Sequence, residues 1–403
     1  MTPSHTTKHL AERLLRETRS ERDRFVSLLT DLTSVESPTE DVDGQLGVQE
    51  ILRTELAELD YDSSSVPARN FADHLVARPS YMSPAAPTQL IVGHCDTVWP
   101  LGTLNDMPVR VEDGCLRGPG AFDMKCGLAQ AVMALRALRS IGAAPEIAPV
   151  LFVNSDEEVG SPDSRDRIVE HARGASRAIV LEPSFGPTGL VKTSRKGVSR
   201  YRFSARGRAA HSGLEPAKGA SAVLAIAHAI TELHALNDPS DGTTVNVGVV
   251  RGGTRPNVIP ERAHAQIDVR VTSVARAEQI DHAIRSLVPK VPRVSFEVEA
   301  CESAPPLEPT ERNLELWQVV RELGDQLGIE LDHTSAGGAS DGNTTSQFTP
   351  TIDGMGAVGD GAHAVHEHIV IDPSLDRAAL LALLLLAPAT EAPAANGANG
   401  AGV

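Results

Sequence analysis

The chain has 403 residues, 41% of them hydrophobic, and a formal net charge of −16. It is long enough for two domains or one large one with a sizeable core. Its acidity argues against nucleic acid and anionic membranes as partners, since both want basic surface. The four cysteines, Cys95, Cys115, Cys126 and Cys301, match no zinc-ribbon or CxxC spacing. At that density a disulfide framework is not expected, and a reducing, cytoplasmic setting fits better.

The N-terminal stretch "MTPSHTTKHLAERLLRETRSERDRF" has no apolar signal core and is too sparse in apolar residues for a membrane span. Residues 21–33 and 44–59 carry helical spacing, with Phe25, Leu28, Leu29 and Leu32, then Leu46, Ile51, Leu52, Leu56 and Leu59. A loop, "SYMSPAAPT", covers 80–88. Three short apolar runs come next: "QLIVG" (89–93), "APVLFV" (148–153) and "RAIVL" (177–181). Helical stretches such as 124–140 separate them. The alternation predicts an α/β fold, a sheet with helices on its faces.

From about 195 the pattern changes. "VSRYRFSARG" reads as a strand, 219–236 as a helix, "TTVNVGVVRGG" and "RAHAQIDVRV" as strands, 273–288 as a helix and 293–300 as a strand. That order is a self-contained ferredoxin-like α+β unit. The expected division is 1–194 with 304–386 as one domain and 195–303 as an insertion. The apolar run 378–389 is short for a membrane helix and reads as a buried one, and the tail 387–403 reads as disordered.

The residues just beyond each apolar run carry the chemistry. After the first come His94 and Asp96; after the second Asp156, Glu157 and Glu158; after the third Glu182. In open α/β sheets the site lies beyond the carboxyl ends of the strands. In an extended segment, residues i and i+2 share a side. His94 and Asp96 then face one way and Cys95 the other, which weakens a thiol-based alternative. "GPGAFDMKCG" (118–127) sets Asp123 at a helix start, and "GDGAHAVHEHIV" (359–370) offers His363 behind two glycines, with His366 and His368 on an exposed turn and strand. Each motif alone also has a bland reading: a strand-end His, an N-cap Asp, a solvated acidic loop. Adjacent carboxylates are costly to bury unless a cation or a proton separates their roles, so one glutamate of 157–158 suits a metal and the other a general base. His94, Asp123, Glu158, Glu182 and His363 form a set that would hold two metals with one carboxylate bridging.

As an ordered set, "HCDTVWP", "GPGAFDMKCG", "DEEVGS", "LEPS", "AAHSG", "GGTRPNVIP" and "GDGAH" resembles the di-zinc metallopeptidases that include glutamate carboxypeptidase, aminoacylase, and acetylornithine and succinyl-diaminopimelate deacylases. "HCDTVWPLGTL" and "DMKCGLAQAV" most resemble the glutamate-carboxypeptidase-like branch. The resemblance implies two Zn²⁺, with Co²⁺ or Mn²⁺ as substitutes, bridged by Asp123. It implies His94 paired with Glu158 and Glu182 with His363. It makes Asp96 the residue that orients His94, and Glu157 the general base for water attacking an amide carbonyl. The peptide after Asp123 is often cis in this family. The inserted unit resembles a lid and dimerisation domain. There His211 would stabilise an oxyanion and Asn257 and Arg270 would hold a substrate carboxylate; read alone, these last two are a turn Asn and a strand Arg. The implied activity is release of a C-terminal amino acid from a small peptide or N-acyl amino acid by a homodimer. An N-deacylase of a metabolic intermediate and a catalytically silent scaffold are the alternatives; the intact Glu157–Glu158 pair speaks against the scaffold. Lys192, Arg195 and Lys196 would either favour an acidic side chain or form a basic surface hinge. Ser340 and Asp341 in "GGASDGN" stay unassigned.

Overall fold

A computed structural model describes residues 5–389. The part of the tail from 390 onward lies outside them. The chain divides into two compact units: one holds the residues up to Thr193, Pro309–Thr334 and those from Ser340, the other Ser194–Glu308 with Ser335–Ala339.

The first unit is built on a six-stranded mixed sheet. In spatial order its strands are Tyr61–Val66, His74–Pro79, Ala148–Asn154, Thr88–His94, Ala175–Val180 and Thr351–Ile352. The three apolar runs are its centre, and their pairings are parallel. Every residue of Ala148–Asn154 is buried, as expected of a strand covered on both faces, where the apolar run is continuous rather than alternating. The helix Cys126–Ser140 is buried along most of its length and packs against Ile371–Leu386, the run that reads as a buried helix. Close approach has a sequence cause: a Cβ on Gly127 would stand 2.3 Å from the Leu181 carbonyl oxygen. Among the described residues no helix is long and apolar enough to cross a membrane.

The second unit is a four-stranded antiparallel sheet in the order Thr244–Gly252, Arg262–Val271, Gly197–Arg206, Ser295–Ala304, with helices Ala222–His234 and Val274–Arg285. Its central strands Gly197–Arg206 and Arg262–Val271 alternate, as a sheet with one solvated face must. Tyr201, Phe203 and Ala205 enter the core while Arg200, Arg202 and Arg206 face out and pair with Glu302, Glu299 and Glu297.

Candidate metal centre

The site stands where three parallel strands end. Thr88–His94 delivers His94, the turn after Ala148–Asn154 delivers Glu157 and Glu158, and Leu181–Glu182 comes directly after Ala175–Val180. Asp123 comes from the turn before Cys126–Ser140, where the Asp123–Met124 peptide is cis. His363 enters from the loop before the strand His368–Val370.

Their distances define two clusters joined by one carboxylate. His94 Nε2 lies 3.4 Å from Asp123 Oδ1 and 3.5 Å from Glu182 Oε1. His363 Nε2 lies 3.4 Å from Asp123 Oδ2 and 3.3 Å from Glu158 Oε2. Asp123 therefore offers one oxygen to each side. The shortest contacts pair His94 with Glu182 and His363 with Glu158, unlike the expected pairing, while His94, Asp123 and Glu158 also bring ligand atoms within 4.8 Å of one another. Thr88–His94 lies between the strands that lead to Glu158 and to Glu182, so both acids reach the His94 edge and the contact distances decide the pairing. Glu157 joins the first cluster, with ligand atoms of His94, Glu157 and Glu182 all within 4.8 Å of one another.

The fit to a cation shows in what is left unsatisfied. His94 Nε2, Asp123 Oδ1 and Glu158 Oε1 are buried and make no hydrogen bond among the described residues. Buried polar atoms are almost always paired, so such a convergence calls for a missing partner. Imidazole nitrogens with carboxylate oxygens are the donor set zinc takes in catalytic sites.

Burial pulls the His94 imidazole down, but Asp123, Asp96 and Glu182 outweigh it and hold the ring well above its ordinary range. Asp123 and Glu158 likewise push His363 up to about 10. Burial, then the Glu182 carboxylate, raises the Glu157 carboxyl well above the usual carboxylate range.

Asp96 does more than face the His94 ring. His94 Nδ1 lies 2.9 Å from the Asp96 carbonyl oxygen and 3.3 Å from its carboxylate. That carboxylate also accepts the backbone N–H of Glu157 (3.3 Å) and Glu158 (3.1 Å) and the Thr39 hydroxyl. One buried acid thus sets both the imidazole and the glutamate loop.

Asp341 is buried, accepts from Ser161 Oγ (2.7 Å) and Asn154 Nδ2, and is pushed up to about 7 by burial. Ser340 caps the short helix Asp341–Thr345 and donates to Asp353 (2.5 Å). Lys192 is buried with Nζ 3.9 Å from Glu182, Arg195 is buried against the Gly338 and Ala339 carbonyls, and Lys196 donates to Gly242. Lys192 and Arg195 are buried, unlike a basic surface hinge, whereas Lys196 is partly exposed.

His211, Asn257 and Arg270 belong to the second unit. His211 Nδ1 accepts from the Gly213 and Leu214 amides, the Asn257 carbonyl accepts from Ser212, and Arg270 forks onto Asp268 at 2.9 and 3.1 Å. His366 is exposed and His368 lies in its strand. One residue had no sequence reading at all: Glu367, buried in the His363 loop and ringed by N–H donors. A lone acid four residues past His363 was its only local signal.

Comparison with known proteins identifies the family. Residues 90–387 match the model of peptidase family M20/M25/M40, and the chain belongs to that family. It is 26% identical to carboxypeptidase G2 of Pseudomonas sp. (strain RS-16) over 91% of this chain and 89% of that one. It is 29% identical to succinyl-diaminopimelate desuccinylase of Verminephrobacter eiseniae (strain EF01-2) over 81% of this chain and 87% of that one. The crystal structure of aminopeptidase PepT from Bacillus cereus ATCC 10987 shares the fold, with a TM-score of 0.73 at 21% identity, covering 91% of this chain and 98% of that one. The protein is accordingly a metal-dependent hydrolase of amide bonds.

Proposed function

We propose that the protein is a di-zinc enzyme, with Co²⁺ or Mn²⁺ as substitutes, that releases a C-terminal amino acid from a small peptide or N-acyl amino acid. The observation that carries it is Asp123, one oxygen on each of two His–carboxylate pairs, with Glu157 alongside. His94, Glu182, His363 and Glu158 complete the ligand set. Bound zinc supplies Lewis acidity toward a carbonyl and toward an attacking water. Glu157, its proton affinity raised by burial, takes the water's proton and delivers it to the leaving nitrogen. Asp96 keeps His94 in place through Nδ1, the usual support of a ligating imidazole. In the same reading His211 hydrogen-bonds the developing oxyanion, and Asn257 and Arg270 receive the substrate carboxylate. For Arg270 this means exchanging Asp268, a carboxylate of the same bidentate kind.

The match to a desuccinylase keeps N-deacylation as a second reading. Two copies would associate through the second unit, whose edge strand Thr244–Gly252 exposes Val249 and Val250; sedimentation velocity tests this, and a monomer across the micromolar range would refute it. Four free thiols support a reducing, cytoplasmic setting.

Metal-free protein, titrated with zinc and assayed on N-acyl amino acids and dipeptides beside Glu157→Gln, tests the reaction. Two bound ions and turnover that Glu157→Gln lowers by roughly 100- to 10,000-fold at unchanged metal content are expected. The panel separates carboxypeptidase from deacylase. Failure to bind metal would remove the site assignment.

A further inference from the structure

We infer that Glu367 is a positioning residue that locks the Asp123 turn and the His363 loop together as one metal-holding piece. The inference rests on Asp123 and His363 being ligands. Glu367 is 1% exposed. Its Oε1 accepts the backbone N–H of Phe122 (2.9 Å) and Asp123 (3.0 Å). Its Oε2 accepts the Gly120 N–H (3.0 Å) and the Trp99 indole N–H (2.7 Å). The two oxygens of a carboxylate offer about four acceptor positions, and here four N–H donors converge on them. It therefore serves as an anchor for other groups rather than as a ligand.

The geometry ties this anchor to both clusters. Three of the four donors are amides of the turn that carries Asp123. The Glu367 backbone closes the other side: its N–H reaches the Ala364 carbonyl at 2.9 Å, and its carbonyl accepts from Gly118 at 3.4 Å. His363 stands immediately before the 364–367 turn, inside the adjoining one closed by the Ala364 N–H on the Gly361 carbonyl (2.9 Å), and is a non-glycine residue at φ +59°. That left-handed conformation is unfavourable for a side-chain-bearing residue and persists only where the surroundings impose it. Gly361, at φ +88°, completes the tight loop; a Cβ there would meet the Glu367 Cα at 2.8 Å. The same residue thus fixes the bridging carboxylate through its side chain and the second imidazole through its loop.

Glu367→Gln has nearly the same volume but turns one acceptor into a donor. Its amide NH₂ must face either Trp99 and Gly120 or Phe122 and Asp123, all of them donors. Trp99→Phe is the milder change, removing one donor and leaving the three amides. Calorimetric titration of Zn²⁺ into the metal-free full-length wild type and both variants is the test, with indole fluorescence and circular dichroism recorded alongside. Expected results are at least tenfold weaker binding of one or both ions in Glu367→Gln and about three- to tenfold in Trp99→Phe. In Glu367→Gln the Trp99 emission shifts, and excess zinc brings kcat back to within about threefold with KM unchanged. A merely structural staple would not be rescued by metal. Unchanged zinc affinity in a folded variant would overturn the inference, as would activity that stays lost with both ions bound. Should Glu367→Gln not fold, Trp99→Phe decides by the same criteria. A wild type that binds no zinc would instead overturn the metal-site reading beneath it.

Discussion

Cys95 stands between His94 and Asp96, yet its chemistry is suppressed. Its Sγ is fully buried, lies 3.2 Å from the Asn154 carbonyl, and is pushed up to about 12 by burial and then by Asp96. At pH 8 about one such thiol in 10,000 is thiolate, the reactive form. Iodoacetamide should therefore label exposed Cys301 in the folded protein and leave Cys95 and Cys126 unmodified until unfolding, read by peptide mass spectrometry. Labelling of Cys95 in the native state would reopen a thiol mechanism. Asp341 gives a pH-dependent case. An ordinary Asp ionises near ~3.9, whereas burial raises this one to about 7 in the metal-free fold. A raised acid binds its proton more tightly in the native state, so its contribution is full below ~3.9 and is lost as pH rises through about 7. Asp341→Asn removes that loss. In metal-free protein its melting temperature relative to wild type should climb between pH 5 and pH 8; a gap that narrows would contradict the assignment. At this scale the ligand types were legible, because each stands just past an apolar run or a glycine-rich turn. Their pairing was not. The strand ending in His94 has one neighbour leading to Glu158 and another leading to Glu182, and strand order is a long-range property that local patterns do not encode.

Among the elements, the helix Ile371–Leu386 shows how a legible segment can depend on an illegible contact. Its apolar run announced a buried helix. Nothing local announced what satisfies its last carbonyls, which a helix cannot pair internally. The partner is Arg177, fully buried at the start of a central strand, donating to the carbonyls of Leu384 (2.8 Å), Ala387 (2.6 Å) and Pro388 (3.0 Å) and to Gln89 Oε1 (2.9 Å). In "SRAIVL" it reads as one polar residue before an apolar run. Arg177→Met should cost about 2 kcal/mol, since it strands buried acceptors, offset in part by the removed cost of burying the guanidinium. Urea unfolding would show this as a lower midpoint at unchanged slope; a midpoint equal to wild type would mean that water replaces the cap at no cost. Other elements escaped for related reasons. His5–Ser20 buries a narrow stripe, Ala11, Leu14 and Thr18, in an otherwise charged sequence. Tyr61–Val66 is an edge strand, "YDSSSV", with few apolar residues to mark it.

At the scale of the whole molecule the two units have separate hydrophobic cores, one including Leu29, Leu128 and Leu380, the other Phe203, Ile226 and Ile267. The ferredoxin-like insertion could be read from consecutive elements, whereas residues 335–339 join it from far along the chain, which no local signal marks. Every proposed metal ligand belongs to the first unit. A ligand that binds only the native state stabilises by mass action, about 2.7 kcal/mol at a free concentration 100 times its dissociation constant. That stabilisation acts on openings that break the site. Without the ions, the first unit must also hold Asp123, Glu157, Glu158 and Glu182 close together with only protons and imidazoles to separate them. Zinc should therefore slow amide exchange in Thr88–His94 and Ala148–Asn154 by up to about 100-fold, the equivalent of that free energy. Gly197–Arg206 and Arg262–Val271, whose core contains no ligand, should exchange at the metal-free rate. Exchange measured by peptide mass spectrometry with and without zinc separates the outcomes. Equal slowing in both sets would show that the units open as one cooperative body. Slowing confined to the first would show that metal occupancy and the integrity of the inserted unit are independent.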